Sequence, residues 1–181
     1  MTALSTYRSF VEADVTWRPY QLRPNAPPEG VQKPPNTPDN PRVGRRLKTA
    51  GEAVRINFTG LTDRSPNTLV SHALLEYALE KHGQEKQNEV QEALFQGYFT
   101  DGVYPDLSNV ASIGVKCGLD GEEVERALKD EGLLKTVRDK VQQNYGEVDG
   151  GVPTFIINGR RAFSGAQDPE IFHQVFDTVL L

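Results

Sequence analysis

Apolar side chains recur at three- and four-residue spacing through most of the stretch from Asn40 to Tyr145, which predicts a run of amphipathic helices. Asn40-Pro41 is suited to open the first, with Val43, Leu47 and Ala50 on one side and Arg45, Arg46 and Lys48 on the other. After the segment INFTGL, Ser65-Pro66 offers an N-cap followed by a proline at the first helical position. Leu69, Ala73, Leu74, Tyr77 and Ala78 then form a stripe that His82-Gly83 should stop. A further helix carries Val90, Ala93, Leu94 and Tyr98 to about Asp101-Gly102. Asp106 or Ser108 can cap another, through Val110 and Ile113 to Gly118. Asp120 with Glu123 resembles a capping box ahead of Val124, Ala127 and Leu128. The last helix of the run, from about Leu133 to Tyr145, buries Leu134, Val137 and Val141.

Both flanks are patterned differently. Leu4, Tyr7, Phe10 and Val11 have the spacing of a helix tail, and VTWRPYQL (Val15–Leu22) is extended in character, with Pro19 opposing both helix and a fully paired central strand. Seven prolines between Arg23 and Pro41 predict an extended surface loop. Beyond the helices, Gly150-Gly151-Val152-Pro153 leads into the strand-length apolar run TFIIN. Asn158-Gly159 is a hairpin signal, and residues 161–164 form the return strand. A closing helix from about Asp168 buries Ile171, Phe172, Val175, Phe176 and Val179.

At 181 residues the chain is long enough for one domain with a true core. A net charge of −5 opposes nucleic-acid and acidic-membrane partners, since neither favours an acidic surface. No window reaches the ~18 apolar residues a membrane span needs. The start MTALSTYRSFVEAD lacks the basic-then-apolar layout of a secretory signal, so the expected compartment is the cytosol.

Candidate chemistry is sparse. The single cysteine, Cys117 in GVKCGL, cannot form an internal disulfide and falls near a helix C-terminus, where the dipole disfavours a thiolate. A structural, half-buried Cys117 is expected. His72, His82 and His173 share no metal-ligand spacing, so no metal is expected, and none reads as an acid–base catalyst. Arg45, Arg46 and Lys48 read as a solvated helix face, and Trp17 with Tyr20 reads as core filling.

GVPTFIINGRRAFSGAQDPEIF (Gly151–Phe172) is similar to the C-terminal thioredoxin half of the FrnE branch of the DsbA family, with its Gly-Val-Pro strand, Asn-Gly turn and Ser-Gly-Ala-Gln step into the last helix. TWRPYQLRPN (Thr16–Asn25) resembles that branch's second strand, and SPNTLVSHALLEYA (Ser65–Ala78) and LFQGYFTDG (Leu94–Gly102) resemble its helical insertion. The resemblance implies an α/β thioredoxin-like (DsbA-like) fold in a single domain over residues 1–181. Residues 12–39 and 146–181 would form its thioredoxin part and residues 40–145 a large helical insertion. The implied activity is thiol–disulfide oxidoreduction on a thiol- or disulfide-bearing protein or small molecule, with no cofactor. The implied substrate-binding loop is Val152, Pro153 and Thr154, with a cis bond before Pro153.

Members of that family open with an apolar strand and a Cys-x-x-Cys at the start of the first long helix, where related kappa-type glutathione transferases and hydroxychromene-carboxylate isomerases carry a serine. MTALSTYRSF aligns at best with the far end of that helix. No catalytic residue is therefore carried over, and the expectation is a chain lacking the first strand and the redox helix start, inactive as encoded. It would be a truncated product of an active enzyme, a non-catalytic binding module on the same scaffold, or a transferase- or isomerase-like relative. Unpaired strand edges would leave it marginally stable or prone to aggregate.

Overall fold

The computed structural model describes residues 13–149 and 151–180, so the helix tail expected over residues 1–12 lies outside it. Its residues group into a larger body, Val15–Val141, and a smaller one that includes the described residues from Gln142 onward.

In the larger body the chain passes through β1 (Val31–Gln32), α1 (Arg45–Ala53), β2 (Arg64–Ser65), α2 (Leu69–Phe95), α3 (Leu107–Lys116) and α4 (Gly121–Leu128), and enters α5 (Glu131–Glu147). The apolar stripes meet as the spacing predicts. Leu74 and Val90 of α2, Val110 of α3 and Val124 and Leu128 of α4 are fully buried with Val137 and Val141 of α5. Each such side chain contributes roughly 1.5–3 kcal/mol by leaving water.

The helix signals fixed several boundaries. Gly83 interrupts α2 with φ 83° and ψ −175°. Nothing lies within 4 Å of where a Cβ would stand, so backbone conformation rather than crowding calls for glycine there. Beyond Phe95 the helix widens into a π-turn over Gln96–Asp101 and ends at Gly102 in the left-handed region. The Asp106 carboxylate accepts the Asn109 N–H at 2.8 Å, and the Asp120 carboxylate accepts that of Glu123 at 2.9 Å. The reciprocal half of the capping box is replaced by a tertiary contact: Glu123 accepts a 2.8 Å hydrogen bond from the Tyr77 hydroxyl. Burial, followed by the bond to Glu123, pushes the Tyr77 pKa up to about 12.

Three expectations give way to packing. The first helix begins at Arg45 instead of Pro41, and the Arg42 N–H ahead of it donates to the Asn36 side chain at 2.9 Å. Its apolar side is not buried either, and Leu47 remains 46% exposed. Helix α1 instead packs through Gly51, where a Cβ would come within 2.6 Å of the Phe58 ring. The second helix begins at Leu69, not Pro66. Ser65 is drawn into antiparallel pairing with Val31 of the proline-rich segment, and the Asn67 carboxamide accepts the Leu69 N–H at 3.0 Å.

The third correction concerns Val15–Leu22, which joins no strand ladder among the described residues. Side chains of α2 hold it instead. Fully buried Gln87 accepts the Trp17 N–H at 2.8 Å and donates to the Trp17 carbonyl at 2.9 Å, so its carboxamide occupies the place of a neighbouring strand's peptide group. Asn88 accepts the Trp17 indole N–H at 2.6 Å and donates to the Val15 carbonyl at 3.3 Å. Gln84 reaches Thr16 at 3.0 Å.

In the smaller body β3 (Thr154–Ile157) and β4 (Arg160–Ser164) form an antiparallel hairpin, followed by α6 (Pro169–Leu180). Asn158 and Gly159 both have positive φ, 50° and 75°, as a two-residue turn matched to the strand twist requires. Phe172 of α6 packs edge-on against Phe155 and Phe163, with ring centres 4.9 and 4.8 Å away. The pairing passes from Phe155–Phe163 to Ile156–Arg161, which leaves Ala162 as the extra residue of a β-bulge.

Candidate functional site

The segment Gly151–Thr154 enters β3 through a cis Val152–Pro153 peptide bond. Hydrogen bonds from the hairpin's own end hold it. The Gly165 N–H donates to the Pro153 carbonyl at 2.7 Å, and the Thr154 hydroxyl donates to the Gly151 carbonyl at 2.7 Å. Gly151 itself has φ 103°, a backbone state that a side chain would strain. Thr154 Oγ1 also lies 3.0 Å from Ser164 Oγ. Since the Thr154 proton is committed to Gly151, Ser164 is the donor in that contact. Ser164 in turn accepts from the Arg161 guanidinium at 3.2 Å.

A chain of polar contacts thus runs from Arg161 through Ser164 and Thr154 to the loop backbone. Among the described residues, the N–H and C=O of half-buried Val152 make no hydrogen bond, and the edge of β3 away from β4 carries no strand. An N–H and C=O without a hydrogen-bond partner at a strand entrance can pair with an extended chain.

The three loop residues named from the sequence therefore lie together, with Thr154 fastening the loop. Arg161, Ser164 and Gly165 were not singled out as site residues. Ser164 and Gly165 begin the Ser-Gly-Ala-Gln step that marked the family resemblance, whereas the bulge that brings Arg161 to Ser164 left no sequence signal.

Chemistry by other side chains is limited. Cys117 caps the C-terminal end of α3 and is only 5% exposed, more buried than expected. Burial raises its pKa, the nearby Glu89 carboxylate adds to this, and Lys86 opposes it. Lys86 also donates to the Cys117 carbonyl at 2.6 Å. His72 Nε2 lies 3.1 Å from the Tyr20 carbonyl, which can only accept, so this nitrogen carries the proton. Burial lowers the His72 pKa to about 4, partly offset by that bond. The ring is thus a neutral tether for the segment after Trp17. His82 packs edge-on against Tyr77 and His173 is on α6. Trp17 meets Phe95 edge-on, with ring centres 5.9 Å apart. No group of three His, Cys, Asp or Glu among the described residues could hold a metal ion.

Residues 2–177 match the model of the DSBA-like thioredoxin domain family. Among solved structures, the chain is similar to one described as a probable DsbA oxidoreductase from Streptomyces coelicolor. The two are 26% identical, with a TM-score of 0.82 over 99% of this chain and 80% of that one. No curated protein matches the chain significantly. The thioredoxin-like α/β fold with helices between its strand-forming parts is therefore the architecture of this protein.

Proposed function

The chain belongs to the DSBA-like thioredoxin domain family, and from that premise we propose that it acts in thiol–disulfide exchange by holding the substrate on the Val152-Pro153-Thr154 loop. The backbone of Val152, which makes no hydrogen bond among the described residues, carries this reading. An extended segment of a thiol- or disulfide-bearing protein, or a small molecule with an amide, can pair with it as one more strand. The motif Gly151–Phe172 supports placing the chain in the FrnE branch of the family.

These 181 residues do not perform the exchange themselves. The reaction needs a thiolate to attack and a second thiol to resolve the mixed disulfide. Cys117 is the sole cysteine, is buried, and has its pKa raised by its surroundings. The function proposed for this chain is thus binding, within a family whose chemistry is thiol–disulfide oxidoreduction.

The reading is tested by NMR titration of the 15N-labelled chain with an extended peptide containing an S-methylated cysteine. The amides of Val152 and Thr154 should move on binding. A saturating interaction that leaves both unmoved would overturn the assignment of the loop.

A further inference from the structure

We propose that Arg161 selects substrates carrying a carboxylate near the reacting sulfur. This deepens the loop reading above and rests on it. In a regular hairpin, side chains three residues apart on one strand point to opposite faces. The bulge at Ala162 removes that alternation and brings the Arg161 guanidinium within 3.2 Å of Ser164 Oγ. Ser164 is bonded to Thr154, and Thr154 to Gly151, so the cation stands two side chains away from the docking backbone.

The guanidinium is not committed elsewhere by a strong contact. Its ion pair with Asp149 is loose at 3.6 Å, and Asp149 is 96% exposed. A pair in that setting is worth little and exchanges readily with another carboxylate. Arginine has five N–H donors arranged for two-pronged binding of a carboxylate, and the contacts to Ser164 and Asp149 leave several of them available. The favoured ligand is therefore an extended cysteine peptide with Asp or Glu one or two residues from the cysteine, or a small thiol bearing carboxylates.

The test measures binding of the full chain to two S-methylated cysteine peptides that differ only in Glu or Gln two residues from the cysteine. S-methyl mercaptosuccinate and its dimethyl ester form the small-molecule arm. Exchange of the weak pair for a charge-assisted one of about 1 kcal/mol favours the Glu peptide roughly fivefold. Arg161→Gln should abolish that preference, and Arg161→Lys should keep part of it. A preference in the small-molecule arm alone, again lost in Arg161→Gln, assigns the site to free thiols rather than peptide side chains. Equal binding of both members of each pair, or a preference that survives Arg161→Gln, refutes the role of Arg161 and leaves the loop reading intact. Failure of every ligand to bind refutes both.

Discussion

At the scale of single residues, side chains take over tasks that backbone usually performs. The fully buried Gln87 carboxamide gives Trp17 the donor and acceptor that a strand neighbour would offer. Gln87→Leu should leave a half-buried backbone N–H and C=O without these partners and lower the urea midpoint, at a cost of about 1–3 kcal/mol for each group that water does not reach. It should also move the Trp17 emission to longer wavelength. An unchanged midpoint would contradict the tether. His72 makes a pH-dependent prediction. Its folded pKa of about 4 lies below the unfolded value near 6.5, so its contribution is complete above pH 6.5 and is lost as pH falls towards 4. The loss is on the order of 3 kcal/mol at most. His72→Gln should flatten stability over that window relative to the unaltered chain, as read by urea melts at each pH. Cys117 should ignore a disulfide reagent in the native state and react once the chain is unfolded.

At the scale of elements, signals that depend on near neighbours were legible. Asp106 and Asp120 cap their helices, Gly83 and Gly102 mark a break and an end, and Asn158-Gly159 makes the hairpin turn, because each acts within a few residues of itself. Asp120→Ala should therefore cost about 1 kcal/mol, as loss of an N-cap usually does. Elements decided by distant partners were not legible. Ser65 left its expected cap for a strand pair with Val31, and Val15–Leu22, which joins no strand ladder among the described residues, meets the polar face of α2. Neither a two-residue ladder nor a carboxamide replacing a peptide group has a periodicity to read. The site divides in the same way. The loop Val152–Thr154 and its cis bond were expected from the family resemblance, whereas the fastening by Ser164 and the approach of Arg161 depend on the hairpin register and one extra residue.

At the scale of the whole molecule, family membership and residue inventory point to different parts of one reaction. The family carries out dithiol chemistry, and the chain has a cis-proline loop, to which substrate binding is assigned as a proposal. A lone cysteine at the C-terminal end of a helix, buried and with a raised pKa, is poorly suited to be an attacking thiol and has no second thiol to resolve a mixed disulfide. The most direct test of this separation is reduction of insulin by dithiothreitol in the presence of the purified chain. The rate should equal that without protein, and Cys117→Ser should give the same rate. Turnover that Cys117→Ser abolishes would contradict this and make Cys117 the nucleophile.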